Sequence, residues 1–150
     1  MSQFWLDLWS NKVLVSALAG WLTAQIAKTI VNALINKQWS WERLVGSGGM
    51  PSSHAATVCA LAVAALLTYG VGSFEFAIAL ILAIVVLHDA RGVRLETGRQ
   101  AAILNQIIHK LAEGEKNPFQ DVHLKELVGH TPSQVVVGSL LGIIVAVIVC

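Results

Sequence analysis

Charge is scarce in this chain. Asp, Glu, Lys and Arg together make up 13% of it, about half of the roughly 25% usual in soluble domains. Net charge is only +1 at pH 7, so no strong basic field points to nucleic acid as a partner. Cysteine is nearly absent. Cys59 and Cys150 both lie in apolar runs, without metal-ligand spacing or a disulfide framework, and read as small packing residues. No internal repeat or low-complexity tract is visible. Met1 to Asn11 lacks the basic start of a signal peptide; it carries Asp7, and its Trp5, Leu6 and Trp9 suit a segment lying at a membrane interface. The chain is therefore expected to enter the membrane through its first span.

Apolar residues are abundant, at 55% of the chain with a mean hydropathy of +0.68. A helical span needs about 20 predominantly apolar residues, with a range of about 17–25. Four runs qualify: about Val13 to Ile35, interrupted by Gln25, Lys28 and Asn32; about Met50 to Tyr69; about Val71 to Leu87; and about Ser133 to Cys150. A Gly70-Val71-Gly72-Ser73 turn folds the second and third into a tight hairpin. From Gly98 to Ala112, Ala101, Ile103, Leu104, Ile107, Ile108 and Leu111 recur at helical spacing, predicting an amphipathic helix at the interface. Glu113 to Asp121, with Gly114 and Pro118, reads as a solvated turn. The expectation is an all-α integral-membrane bundle of about four spans plus the interfacial helix, one domain over residues 1–150.

Threading the spans alternately puts the loop Asn36 to Gly49 and the segment His88 to Pro132 on one face. Eight of the ten Lys/Arg residues fall there: Lys37, Arg43, Arg91, Arg94, Arg99, Lys110, Lys116 and Lys125. The positive-inside rule assigns that face to the cytoplasm, with Trp39 and Trp41 as interface anchors.

Chemistry is concentrated where Gly48-Gly49-Met50-Pro51-Ser52-Ser53-His54 runs into the second span. Unpaired first-turn N–H groups and the positive end of the helix dipole make such a junction an anion site. A histidine there can exchange protons near neutral pH. Lys28 stands inside an otherwise apolar helix, where an ammonium is costly unless paired or hydrated, so it is a second candidate phosphate contact.

Three ordered motifs then become recognisable: Gly49-Met50-Pro51-Ser52-Ser53-His54, Asp89-Ala90-Arg91-Gly92-Val93-Arg94, and Gly129-His130-Thr131-Pro132. The chain resembles the divergent, shorter branch of the type-2 phosphatidic acid phosphatase family, whose relatives include vanadium haloperoxidases. That resemblance implies a phosphatase that needs neither metal nor cofactor and works through a phosphohistidine. Carried over, His130 is the nucleophile, His54 protonates the leaving alcohol, and Ser52, Ser53 and nearby amides hold phosphate oxygens. Both histidines fall on the same membrane face in the topology drawn from charge.

The chain also departs from the family pattern. Lys37 and Arg43 are one residue closer than in the family's first motif, and no proline follows Arg43. The Ser-Arg expected before the nucleophile is missing, with Leu124 and Lys125 in its region. Gln134 stands where an aspartate should orient the nucleophile; an amide can fix the imidazole tautomer but does not stabilise an imidazolium as a carboxylate does. Asp89, at the end of a span on the same face, is the candidate replacement acid. Arg94 is the candidate bidentate phosphate clamp, with Arg43 a further contact. Asp121 and His123 lack a third ligand at metal-site spacing, so no metal is expected.

The function expected is hydrolysis of a membrane lipid phosphomonoester, of the phosphatidylglycerol phosphate or phosphatidic acid type, at the cytoplasmic leaflet. The alternative is a non-catalytic lipid- or phosphate-binding membrane protein or small transporter, with Gln25, Lys28 and Asn32 lining a path. The Gly138–Gly142 pair allows close helix approach, within one subunit or in a homo-oligomer.

Overall fold

The computed structural model describes residues 1–37, 49–111, 124 and 129–150; the side chains of Ser2, Arg94, Leu95 and Leu111 are outside the description. Among these residues the chain is all helix: α1 (Ser2–Ser10), α2 (Lys12–Asn36), α3 (Ser53–Tyr69), α4 (Phe74–Arg91), α5 (Val93–Leu111) and α6 (Pro132–Val149). Trp39, Trp41, Arg43, Lys125, the Asp121/His123 pair and the turn expected at Glu113 to Asp121 lie outside the described residues.

Short polar side chains start the apolar helices. Asn11, Ser52, Ser73 and Thr131 are N-caps whose side-chain oxygens accept from Leu14, Ala55, Phe76 and Gln134 N–H groups. Each satisfies a first-turn donor that the helix itself cannot. These caps correct the expected limits. The third span starts at Phe74, not Val71, because Gly70 to Gly72 form the turn and Ser73 caps the new helix. It also runs to Arg91, past the apolar run, because the ladder continues until Gly92 N–H closes on the His88 carbonyl. The amphipathic helix begins at Val93, five residues before the periodicity becomes visible at Gly98.

α3 is the hub, packed against α2, α4 and α6. Its interfaces are built from alanine: Val58, Ala62 and Ala65 meet Ala79 and Ala83 of α4, while Ala60 and Ala64 meet Ala146 of α6. Small residues bring backbones close, which is how helices gain van der Waals contact where lipid removes the hydrophobic drive between them. Glycine extends the pattern. A Cβ at Gly20 would stand 3.0 Å from the Ala56 carbonyl, and one at Gly142 only 2.9 Å from Ala56 Cα. At Gly138 a Cβ would run into the backbone of Ser52.

Large apolar side chains point outward instead. Trp21, Leu22 and Ile26 on α2, Ile81 and Ile84 on α4, and Leu140, Ile144 and Ile148 on α6 are all exposed. A surface of that kind is a bilayer-facing exterior. Among the described residues three stretches are long and apolar enough to cross a membrane: Lys12–Asn36, the stretch Phe74–Lys110 that begins with α4, and Pro132–Val149. α3, with 17 residues, is a shorter apolar helix among them. The protein is an all-α integral-membrane bundle. α1 exposes Trp5 and Trp9, as an interfacial helix does.

Candidate active site

Long-range bonds gather one end of the bundle. Ser52 N–H donates to the Gln134 carbonyl at 3.1 Å, joining the start of α3 to that of α6. His130 N–H donates to the Ala90 carbonyl at 3.1 Å, joining the end of α4 to the same place. Gly49, at φ +84, lays its Cα along the Lys28 stem; a Cβ there would sit 3.4 Å from Lys28 Cγ. At the opposite end Lys12 Nζ donates to the Cys150 carbonyl.

The two motif histidines meet at this end. Their ring centroids are 5.9 Å apart and the planes are tilted by 59°. His130 is buried, with 2% of its surface exposed, and His54 is half-buried in the first turn of α3. The N-termini of α3 and α6 flank the pair, so two positive dipole ends face the space around it.

Gln134 holds the His130 ring. Its side-chain oxygen accepts Thr131 N–H at 3.1 Å, closing a capping box in which Thr131 Oγ1 accepts Gln134 N–H at 3.4 Å. The same Oε1 lies 3.3 Å from His130 Nδ1. A backbone N–H can only donate, so the shared atom is the amide oxygen, and Nδ1 must carry the proton. That leaves the lone pair on Nε2. The signature was present in the sequence as Thr131-Pro132-Ser133-Gln134, a Thr-x-x-Gln capping box.

Lys28 does not reach outward to water. It is 2% exposed, and its ammonium donates to Gln25 Oε1 at 2.7 Å. Burial lowers the His130 pKa from 6.5, and the positive charge at His54 and Lys28 pushes it the same way, against hydrogen bonds with Gln134 and the Gly49 backbone. The imidazole is accordingly neutral at pH 7. Because the folded value lies below the unfolded one, protonation works against the fold only as pH falls under 6.5. If the site is catalytic and uses neutral His130, the acid limb of a kcat/KM profile is expected to fall with a midpoint below pH 6.5. An acid limb with its midpoint above pH 7 would be incompatible with that environment.

Ser52 is fully buried; its hydroxyl accepts Ala55 N–H at 3.3 Å and its amide is used on Gln134, so that amide is not offered to a ligand. Ser53 is buried beside it, and Thr57 Oγ1 donates to its carbonyl. Asp89 is half-buried in the last turn of α4, next to the Ala90 whose carbonyl ties down His130. The group seen to hold the imidazole is Gln134. Arg94 opens α5 just beyond. Local pattern did not reveal the Ala90–His130 bond, the Gln25 partner of Lys28 or the use of the Ser52 amide. Among the described residues no three His, Cys, Asp or Glu side chains gather as a metal site.

Comparison with known proteins bears on this arrangement. A family model described as "Divergent PAP2 family" matches residues 9–145. The chain is also 35% identical, over 95% of its length and 96% of the relative's, to the "Uncharacterized membrane protein YuiD" of Bacillus subtilis (strain 168). No solved structure matches significantly.

Proposed function

The chain belongs to the divergent PAP2 family, and from that premise we propose that it is a metal-independent lipid-phosphate phosphatase acting through a phosphohistidine on His130. The observation that carries the reading is the facing His54–His130 pair, 5.9 Å apart, with Nδ1 of His130 committed to Gln134.

In the proposed reaction His130 Nε2 attacks phosphorus, and the bond from phosphorus to the lipid oxygen breaks. Protonated His54 gives its proton to that leaving oxygen, so the lipid departs as an alcohol. Now neutral, His54 takes a proton from water as the water oxygen attacks phosphorus. The P–N bond breaks, inorganic phosphate leaves, and His130 returns to its neutral form. Splitting one displacement into two lowers each barrier, and a positioned acid–base group contributes about 10²–10⁴-fold. Gln134 keeps the tautomer throughout but adds no negative charge beside the phosphoimidazolium. Substrates are phosphomonoester lipids of the phosphatidylglycerol phosphate or phosphatidic acid type. Ser52, Ser53, Arg94 and Arg43 are the further proposed phosphate contacts, and Asp89 is the proposed carboxylate in place of the missing aspartate.

Lys28 is the proposed resident cation of the phosphate pocket. Its burial beside Gly49, near enough to His130 to act on it electrically, supports that role. Lys28→Met is expected to keep the fold, since an apolar residue of similar length replaces a buried charge. It is expected to raise KM for the lipid and the vanadate inhibition constant by about 10–100-fold, the scale of one charge-assisted phosphate contact. Unchanged constants would make Lys28 purely structural. Lipid binding with no turnover by the wild type across a panel of monoesters would favour the non-catalytic reading.

The excess of Lys and Arg supports a cytoplasmic site. Lys37→Cys, exposed after the end of α2, is then labelled by a membrane-impermeant maleimide only in inverted vesicles. Labelling from the outer side of intact cells would reverse the orientation.

A further inference from the structure

Between the end of α4 and the start of α6 lies a groove of about 410 Å³. Leu87, Pro132, Val135 and Val136 supply its apolar walls, and His88 and Arg91 its polar rim. Pro132, Val135 and Val136 share a face of α6 at i, i+3 and i+4 spacing, while Gln134 and Gly138 turn toward α3. The groove and the histidine pair therefore occupy different sides of α6, separated by the His130–Ala90 backbone bond. Val135 forms a buried floor, while Pro132 and Val136 are exposed on the exterior of the bundle.

We infer that this groove binds a resident bilayer phospholipid with an anionic phosphodiester headgroup, distinct from the substrate. Hydrocarbon fits the Leu87, Val135 and Val136 walls. The Arg91 guanidinium, a planar fork of permanent charge, matches phosphate oxygens, and the His88 ring adds a second polar contact. A choline or ethanolamine headgroup would bring its own cation against Arg91, so the site selects anionic lipid. None of His54, His130, Lys28 and Gln134 lines the groove. The lipid held there is not hydrolysed; it braces the α4–α6 junction from which His130 is hung.

The test uses the full chain in phosphatidylcholine vesicles containing a phosphatidylglycerol probe with a photoactivatable diazirine in one acyl tail. Peptide mapping is expected to place the label around Leu87, Val135 and Val136, with competition by plain phosphatidylglycerol and none by added phosphatidylcholine. Arg91→Ala, an exposed change that leaves the core intact, is expected to cut labelling about tenfold. Val136→Trp, which fills the groove from its open side, does the same. Label spread evenly over the helices, or unaffected by both variants, overturns the site. Phosphatidic acid displacing the probe and being hydrolysed in proportion overturns its separation from the substrate. Groove labelling without phosphate release from any monoester leaves this inference standing and removes the phosphatase reading; release without groove labelling does the reverse.

Discussion

His130→Ala is expected to abolish phosphate release from a lipid monoester, lowering turnover by about 10⁵-fold or more. Removing a covalent nucleophile is the largest single loss an enzyme of this kind suffers, because the two-step covalent route goes with it. The fold should survive. His130 holds α4 through its backbone N–H on Ala90, and the capping box of Thr131 and Gln134 does not need the imidazole. Helical circular dichroism unchanged from wild type separates lost chemistry from lost structure. His54→Ala is expected to lose less, about 10²–10⁴-fold, since it removes proton transfer to the leaving oxygen but leaves the covalent route open. Full activity in His130→Ala would remove the nucleophile assignment, whatever else the site does.

Gly142→Leu is expected to have the largest effect on stability. The glycine lies against the Ala56 backbone, and a Cβ would stand 2.9 Å from both Ala56 Cα and the Ala56 carbonyl carbon. No rotamer relieves that approach, because the obstacle is main chain. α6 would have to move off α3, breaking the Ala60, Ala64 and Ala146 contact and the Ser52–Gln134 bond together. Overpacking typically costs about 1–3 kcal/mol, and a backbone clash belongs at the upper end. That corresponds to a melting temperature lowered by roughly 10 °C, measurable by circular dichroism in detergent. An unchanged melting temperature would mean that α6 does not pack on α3 at this point.

Much of this architecture could be read from the residues. The apolar runs located the helices, while their starts are set by the capping side chains of Asn11, Ser52, Ser73 and Thr131, which hydropathy does not mark. The ends were harder. Polar His88, Asp89 and Arg91 end the apolar run but not the backbone ladder, so α4 outlasts its hydropathy. α5 likewise starts before its periodicity does, at the residue after Gly92.

The same division holds at the candidate site. Threading the spans put His54 and His130 on one membrane face, and the resemblance to the phosphatase family implied their pairing. Of the two uses of Gln134, the contact with His130 was expected from its place four residues on, whereas the capping box with Thr131 was not read. The bonds from Ser52 to Gln134 and from His130 to Ala90 join segments far apart in the chain. Their register depends on how closely Gly138 and Gly142 let α6 approach α3, and no local pattern encodes that distance. Lys28 was conspicuous as a charge in an apolar helix, but Gln25 as its partner, a turn away on the buried side, needed the packing to be seen.

The central claim, a phosphoryl group passing through His130, is tested most directly by trapping it. Purified protein in detergent with EDTA would be mixed with a phosphomonoester lipid, quenched in alkali within the first turnover and mapped by peptide mass spectrometry. The proposed chemistry predicts a phosphoryl group on His130 that survives alkali, is lost in mild acid and is absent from His130→Ala. Phosphate release that proceeds with no phosphoryl group on His130, or that stops in EDTA and returns with added metal, would contradict it.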